Sequence, residues 1–301
     1  MRDFFAEGLL YLDLMEVYGS SRLVGEICGI AQSNAYRGAQ ACAKLLKLEL
    51  VKRGGSYVAE KNLDVQRDLR IVAQRLRARE TGLLRLITDP VVPMDQRPKE
   101  LEGLTYPLPK HWLSANKTLH LINSGLIDIV IGRWLDLSAA LKLDSFIQAS
   151  QPIGSNQYGL LGFRPFSIEL YTAPEHPLRK QGAPNHALQG FPSPALHVDT
   201  DSRLKETYQG AGLWSRMLSD RWLEPGAWES LAADGTMVIP SSRFGVAYAQ
   251  RLNPSLSIAP LAVNTSIEDQ LLIVFPISLS REPCMKQAVR HLHDWLANLQ
   301  Q

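Results

Sequence analysis

The sequence has 301 residues, of which 45% are hydrophobic and 21% charged, and its formal net charge is +2. This composition is typical of globular proteins with a proper core, and the length suits two or three domains. No apolar stretch approaches the roughly 20 residues that a membrane-spanning helix needs. The N-terminus has no basic segment that leads into an apolar run and a cleavage site, so we expect neither a membrane protein nor a secreted one.

The cysteines and the distribution of charge give two further expectations. Cys28, Cys42 and Cys284 are odd in number and show no metal-binding spacing, which fits a reducing cytoplasm. Cys28 and Cys42 are at apolar positions of predicted helices, so we expect them to be small core side chains. Residues 1–82 carry 13 Lys and Arg against 10 Asp and Glu, a net charge of +3, whereas the remainder carries 19 against 20, a net charge of −1. This asymmetry has the direction expected of an N-terminal nucleic-acid binder.

The first 60 residues predict three helices and a hairpin. Apolar periodicity favours helices over 1–18, 22–28 and about 32–46, with Ser20 or Ser21 as a cap and Gly29 at the turn. Residues 48–58 then resemble two short strands around a Gly-Gly turn. Three helices followed by a basic hairpin indicate a winged helix-turn-helix, in which the third helix enters the major groove of DNA.

A polar helix is predicted over residues 62–80. Its apolar residues are spaced four, three and four positions apart, and they are Val65, Leu69, Val72 and Leu76. That spacing is typical of a coiled-coil seam, so we expect this helix to mediate dimerisation. The alternative is an amphipathic helix that packs on its own domain.

Strands and helices alternate in the rest of the chain. The predicted strands lie at 83–87, 127–131, 167–171, 195–198, 237–239 and 271–275. The predicted helices between them lie at 116–124, 203–218 and 283–299. This alternation indicates a mostly parallel α/β architecture.

These residues together resemble the LysR-type transcriptional regulators, most closely over the first domain. That family reads Gly-Ser, an alanine-rich helix, Ser-Gln-(Pro/Ser)-Ala-(Leu/Val)-Ser and later Leu-Gly-Val-x-Leu-Phe-x-Arg. The corresponding stretches here are residues 19–20 (GS), 30–37 (IAQSNAYR) and 46–53 (LKLELVKR), with no insertion or deletion between them. The chain departs from the family pattern at Ala31, Tyr36 and Lys47. It departs again in the proline-rich segment 89–112, where the family has a long helix.

The resemblance implies a fold and a function for the whole chain. It implies a winged helix-turn-helix over 1–60, a dimerisation linker helix over 61–81 and an effector-sensing domain over 82–301. The sensing domain would be a periplasmic-binding-protein-like α/β fold, with one subdomain at 83–162 and 262–301 and the other at 163–261. The implied partners are double-stranded DNA, the chain itself as a homodimer or homotetramer, a small-molecule effector and RNA polymerase.

Candidate DNA-binding residues follow from the start of the third helix and from the hairpin. The amide of Gln32 can pair with adenine, and Arg37 can pair with guanine or reach a phosphate. Ser33, Asn34 and Tyr36 are polar enough to read base edges or to bind the backbone. On the wing, Lys52 and Arg53 suit phosphate contacts.

Candidate effector-binding residues follow from the resemblance. Small ligands of such folds lie in the crevice at the carboxyl ends of the strands, and the candidates there are Thr88, Asp89, Thr200, Ser202 and Ser241. Their hydroxyls and nearby backbone N–H groups would suit a small carboxylate or phosphate. Effector binding would shift the angle between subdomains and thereby the spacing of bound DNA half-sites.

We expect neither catalysis nor a cofactor. The sequence contains no GxSxG elbow, glycine-rich phosphate loop or HExxH motif, and its histidines have no evident metal-binding spacing. Two alternative functions stay open. One is a DNA-binding regulator without a ligand that is controlled by protein partners, and the other is a solute-binding α/β protein.

Overall fold

A computed structural model describes most of the chain. The described residues are 4–53, 56–81, 83–89, 91–108, 115–148, 153–154, 157–179, 193–195, 203–213, 215–217, 227–262 and 267–299. The chain divides into two compact units. The N-terminal unit comprises Met1–Arg77 together with Leu121–Ile127, and the C-terminal unit comprises Ala78–His120 and Asp128–Gln301. In the described residues no helix is both long and apolar enough to cross a membrane.

Three helices open the N-terminal unit, close to their predicted positions. They are α1 (Phe4–Tyr18), α2 (Ser21–Cys28) and α3 (Gln32–Leu45). The hydroxyl of Ser20 caps α2 by accepting a hydrogen bond from the backbone N–H of Leu23. Gly29 ends α2 in the left-handed conformation, at a φ of 64°, which glycine adopts without steric cost.

A two-stranded antiparallel hairpin follows the helices, as predicted, and consists of β1 (Glu49–Arg53) and β2 (Ser56–Glu60). The linker helix α4 (Leu63–Leu76) is shorter than the predicted 62–80. It continues as a π-helical turn over Arg77–Thr81.

The C-terminal unit alternates short strands and helices. Its first half contains β3 (Leu84–Thr88), α5 (Lys99–Glu102), β4 (Thr105–Pro107), α6 (Ala115–Asn123, which begins in this unit), β5 (Ile129–Arg133), α7 (Trp134–Leu141), β6 (Ile153–Gly154) and β7 (Tyr158–Gly162). Its second half contains β8 (Phe166–Thr172), β9 (Ser193–Ala195), α8 (Arg203–Gly210), β10 (Ser215–Met217), α9 (Ala227–Ala233), β11 (Ile239–Ser241), α10 (Arg243–Leu252), β12 (Ala259–Pro260), β13 (Ile267–Asp269), β14 (Leu271–Pro276) and α11 (Pro283–Leu299).

Two main sheets organise this unit. One has the strand order β4-β3-β5-β14-β7-β6, and α11 packs its buried Met285, Leu292 and Leu296 into the core that this sheet forms. The other has the order β11-β8-β12, with β13 also paired to β8. The chain crosses from the first sheet to the second between β7 and β8, and it returns between β13 and β14.

Both crossovers meet at the side chain of Gln270. Its Nε2 donates hydrogen bonds of 2.6 Å to the carbonyl oxygens of Ile147 and Phe163, and its Oε1 accepts one from the Ile147 N–H at 3.0 Å. The crossover segments are thus tied to each other by a fully buried amide.

The structure corrects several expectations about this unit. The sheets are not mostly parallel: β3 pairs in parallel with β4 and β5, but β14 runs antiparallel to β5 and β7, and β8 pairs antiparallel with each neighbour. The reason is that β14 returns from the second sheet in the opposite direction. That return falls at Gln270, later than the expected boundary at 262, because β13 still pairs with β8.

Local elements also differ from the prediction, and the predicted strand 127–131 lies at Ile129–Arg133. The predicted helix 203–218 ends at Gly210, and strand β10 follows it. The predicted strand 237–239 lies at Ile239–Ser241, where it pairs with β8. In the proline-rich segment the described residues form a 3₁₀ turn at Met94–Gln96, the one-turn helix α5 and strand β4. The long helix is therefore absent from that described part, as its prolines predict.

Candidate nucleic-acid interface and ligand cleft

Helix α3 has a buried small-residue face and an exposed polar face. The buried face consists of Ala35, Ala39, Cys42 and Ala43. All the predicted DNA-reading residues of this helix are exposed, and they are Gln32, Ser33, Asn34, Tyr36 and Arg37. Small buried side chains let α3 pack closely on α1 and α2, and this packing presents the polar face to solvent.

Hydrogen bonds orient several of these exposed side chains. Gln32 Nε2 donates to Ser21 Oγ at 3.1 Å, so the amide of Gln32 is held at the junction of α2 and α3. The guanidinium of Arg37 donates to Asn34 Oδ1 at 2.7 Å and to the carbonyl oxygen of Ser33 at 3.3 Å. Gln40 Nε2 donates to the hydroxyl of Tyr36 at 2.9 Å.

The hairpin places an aromatic ring beside the same face. The rings of Tyr36 and Tyr57 lie 5.9 Å apart at an interplanar angle of 50°, and Lys52 Nζ lies 5.7 Å from the Tyr57 ring centre. A shallow depression of about 500 Å³ opens between the hairpin and the helix, lined by Ser21, Gln32, Ser33, Tyr36 and Tyr57. Arg53, the other predicted wing residue, ends β1, but its side chain lies outside the described residues.

The sequence did not single out Tyr57 or Gln40 as site residues. Lys52 and Tyr57 are directly opposite each other in the hairpin register, so their side chains share one face of it. The position of the Gly54-Gly55 turn in the sequence determines which residues of the two strands are opposite each other, so this pair could have been predicted. The contact with Tyr36 depends on how the hairpin packs against α3, and no local pattern shows it.

Helix α4 buries a row of polar side chains. Gln66, Arg70 and Gln74 are four positions apart and at most 6% exposed. Arg70 Nε donates to Asp13 Oδ1 at 2.7 Å, and a second guanidinium nitrogen donates to Glu16 Oε2 at 2.8 Å. The helix is thereby held to α1 by a buried ion cluster.

The end of α4 is held by the segment Leu121–Ile127 of the same unit. Gln74 Nε2 donates to the carbonyl oxygen of Ile127 at 3.0 Å, and Arg77 donates to the carbonyl oxygen of Gly125 at 2.9 Å. Gly125 has a φ of 72°, and a side chain there would meet the backbone of Arg70 at 3.0 Å. A glycine is needed at this close approach.

The predicted seam of α4 is on the solvent side of the helix. Val65, Val72 and Leu76 are each exposed by more than 40%, and Leu69 is half-buried. The alternative of an amphipathic helix that packs on its own domain is met in part, because α4 packs on α1, but through polar side chains and not through these apolar ones. The stripe that packs within the unit is the polar one.

A buried charge cluster lies where β3 and β5 end. Arg133 is the last residue of β5, and Asp89 directly follows β3. Arg133 Nε donates a hydrogen bond of 3.0 Å to Asp89 Oδ2. Another guanidinium nitrogen of Arg133 lies 3.1 Å from Asp136 Oδ2, and Nε lies 3.9 Å from Asp269 Oδ2. Asp269 is the last residue of β13, so the cluster joins elements of both sheets.

Of the predicted effector-binding residues, three are described and two are not. Thr88, Asp89 and Ser241 are buried at strand ends. The hydroxyl of Ser241 donates to Glu229 Oε1 at 3.1 Å, whereas Asp89 is engaged with Arg133 and with the backbone N–H of Val91. Thr200 and Ser202 lie outside the described residues.

Burial raises the pKa values of three carboxyl groups in this part of the unit, those of Asp136, Asp269 and Glu229. The pKa of Asp269 is about 7 and that of Asp136 about 6, because burial penalises their charged forms more than Arg133 stabilises them. Burial also raises the pKa of Glu229. Within the described part of the chain, no group of three or more His, Cys, Asp or Glu residues is arranged to hold a metal ion.

Comparison with known proteins identifies the fold. No protein-family model and no curated protein sequence matches the chain. Its structure is similar to a cysteine-to-aspartate variant of full-length OxyR from Pseudomonas aeruginosa, with a TM-score of 0.53 and 11% identity over 96% of this chain and 93% of that one.

Two further similar structures are of CbnR, a LysR family transcriptional regulator. CbnR itself has a TM-score of 0.47 and 16% identity over 95% of this chain and 97% of that one. Full-length CbnR in complex with its target DNA has a TM-score of 0.47 and 14% identity over 96% and 99%. The likeness to OxyR shows that the two chains share a fold.

Proposed function

We propose that the chain is a sequence-specific DNA-binding transcription regulator of the LysR type, and not an enzyme. It would act as an oligomer whose geometry on DNA responds to a small molecule. The observation that carries the proposal is the exposed polar face of α3, which stands beside the aromatic and basic side chains of a β-hairpin. A helix of this kind fits the major groove, and the hairpin then lies along the adjacent backbone.

The side chains of α3 have the chemistry that reads bases. Arg37 would exchange its intramolecular bond to Asn34 for a bidentate pair with guanine, and Gln32 would pair with adenine. Ser33, Asn34 and Tyr36 lie on the same exposed face and would contact base edges or the backbone. Lys52 and Arg53 would contact phosphates from the hairpin.

Oligomer formation through α4 is the second part of the proposal. Val65, Leu69, Val72 and Leu76 follow a coiled-coil spacing; Leu69 is half-buried and the other three are about half exposed in the single chain. A second copy of the helix would remove this apolar surface from water, at roughly 25 cal/mol per Å² buried. Because Arg70 fixes the opposite face of α4 to α1, the seam would keep one orientation relative to the DNA-binding helices.

Effector control is the third part. The cleft residues Thr88, Asp89 and Ser241 belong to elements of both sheets of the C-terminal unit, so a ligand there would favour one arrangement of the two sheets. We expect Thr200 and Ser202 to contribute to the same cleft. Through the oligomer, that arrangement would set the spacing of bound DNA half-sites.

The test is to select DNA from a random duplex pool with the full chain and to measure binding of the selected duplex by fluorescence anisotropy. The proposal expects a recurring sequence motif and an affinity that falls steeply as salt is raised, because phosphate contacts release counterions. Selection that enriches no motif would refute sequence-specific binding.

A further inference from the structure

A buried cluster at the strand ends of the C-terminal unit contains more carboxyl groups than cations. The cleft cluster consists of Asp89, Asp136 and Asp269, each with an oxygen within 4.0 Å of the Arg133 guanidinium. Among the described residues, Arg133 is the one cation that acts on the pKa values of Asp136, Asp269 and Glu229. One guanidinium therefore faces three carboxyl groups, in a region where unbalanced charge is costly.

Several polar atoms of this cleft form no hydrogen bond within the described part of the chain. They are Asp136 Oδ1, Asp269 Oδ2 and the hydroxyl of Tyr208. Tyr208 is 4% exposed and lies on α8, and the charges of Arg133 and Asp269 act on its hydroxyl. A buried hydroxyl or carboxylate oxygen without a partner costs about 1–3 kcal/mol, and a ligand that donates hydrogen bonds would recover this energy.

The location also suits a ligand. Asp89 follows β3, Arg133 ends β5, and Asp269 lies at the return crossover between the two sheets. Crevices at the carboxyl ends of strands, where the chain changes direction, are the usual ligand sites of open α/β sheets. Glu229 lies near the start of α9 and accepts a hydrogen bond from Ser241 at the end of β11.

We propose that the cleft cluster binds a small organic cation, an amine or a guanidinium compound, as the effector of the regulator. This inference rests on the proposed function, and it replaces the small anion that the hydroxyls alone suggest. An anion would meet the excess of carboxylates, whereas an ammonium or guanidinium group would donate to Asp136 Oδ1, Asp269 Oδ2 and the Tyr208 hydroxyl. The described cleft residues are not arranged around one point as metal ligands are.

Such a cation would also bias the arrangement of the two sheets. Asp136 follows β5 of the first sheet, whereas Asp269 ends β13, which pairs with β8 of the second. A ligand bound to both carboxylates is held best when the two sheets approach each other. The ligand then binds more tightly to the arrangement in which the two sheets are close than to the one in which they are apart. This difference in affinity is what shifts the population toward the first arrangement.

The first experiment uses the wild-type full chain and compounds of matched size. Thermal unfolding is followed by tryptophan fluorescence with 1,4-diaminobutane, agmatine, 1,4-butanediol or succinate, at equal ionic strength set with NaCl. All six tryptophans lie between residues 112 and 295, so the signal reports the C-terminal unit. We expect the melting temperature to rise with the concentration of either cation and to stay constant with the diol and with succinate.

The second experiment uses two variants and isothermal titration calorimetry with whichever cation stabilises the chain more. Asp136→Asn should weaken its binding at least tenfold, because it removes a charge that the ligand faces. Asp144→Asn is the matched control, since Asp144 lies just beyond α7 with a fully exposed side chain, and it should bind as the wild type does. Folding of both variants is checked by their circular dichroism.

The outcomes separate this inference from the proposed function. Stabilisation by succinate but not by the cations would overturn it in favour of an anion site. The proposal is also overturned if no compound binds, or if Asp136→Asn binds the cation as well as Asp144→Asn does. In either case the cluster is a structural ion cluster and not a ligand site. Affinity for the selected DNA duplex is measured in parallel, and its loss or absence would count against the proposed function alone.

Discussion

Arg70 Nε donates a hydrogen bond of 2.7 Å to Asp13 Oδ1, and the two side chains, 57 positions apart in sequence, are both almost fully buried. The same guanidinium donates to Glu16. This ion cluster sets the rotation of α4 about its own axis. The polar row of the helix faces α1, and Val65, Val72 and Leu76 are left exposed.

Replacing Arg70 with methionine should destabilise the N-terminal unit by about 3–5 kcal/mol, because it leaves buried carboxylates without a counter-charge. Hydrogen exchange measured by mass spectrometry over α1 and α4 should therefore accelerate about a hundredfold or more. Arg75→Met is the control, since Arg75 is exposed on the same helix and should change stability by less than about 0.5 kcal/mol. Equal exchange in the two variants would show that the cluster contributes nothing to stability.

Replacing Arg37 with alanine should weaken binding of the selected duplex by about 1–3 kcal/mol and relax the base preference at one position. The reason is the loss of a bidentate contact in the major groove. Arg290→Ala removes an equal charge from an exposed position of α11 and should leave DNA affinity unchanged. The placement of α3 in the groove is wrong if the double change Gln32→Ala and Arg37→Ala has no effect on affinity.

Tyr57 should matter for DNA binding through its ring and not through its hydroxyl. Tyr57→Ala removes the ring contacts with Tyr36 and Lys52, and aromatic pairs of this kind contribute about 0.5–1.5 kcal/mol. We therefore expect a threefold to tenfold weaker complex, on the order of that energy. Tyr57→Phe keeps the ring and should bind as the wild type does. If the phenylalanine variant is equally weak, the hydroxyl makes the contact.

Charged substitutions in the seam should disrupt self-association. Val72→Asp and Leu76→Asp together would place carboxylates in an apolar interface, although the single chain tolerates them because both positions are about half exposed. Sedimentation velocity should then show a smaller species than the wild type. Leu252→Asp is the matched control on α10, where an exposed leucine lies outside the seam. If assembly is unchanged in the seam variant, another surface holds the oligomer together.

The stability of the C-terminal unit should fall as pH rises from about 5 to 8. Asp136 and Asp269 have folded pKa values of about 6 and about 7, above their ordinary value, so the folded chain holds more protons than the unfolded chain in this range. Stability is then lost as pH rises through the folded values. Burial lowers the pKa of His176, which acts in the opposite direction, so variants are needed to separate the contributions.

Urea unfolding followed by tryptophan fluorescence at several pH values measures this slope. Asp269→Asn should flatten it, because the amide does not titrate, and Asp144→Asn should leave it as in the wild type. A slope that Asp269→Asn does not alter would contradict the raised pKa of Asp269.

Much of the N-terminal unit could be predicted from sequence because its signals are local. Ser20 caps α2, Gly29 ends it, and apolar periodicity places α1 and α3 within a few residues of their observed bounds. Helix α11 begins and ends at the predicted residues 283 and 299. Caps, turns and periodicity depend on residues three or four positions away, so they can be predicted without knowledge of the tertiary structure.

The tertiary structure determined which side chains pack against each face of a helix or strand. The spacing of Leu69 and Leu76 predicts a seam, but the burial of Arg70 depends on Asp13, which no local pattern connects to it. In the same way, the charge of the buried cluster at the strand ends depends on Arg133 meeting Asp269 across 136 positions. Electrostatic balance in a buried site is set by groups that converge from distant segments, and their convergence exists only once the sheets have formed.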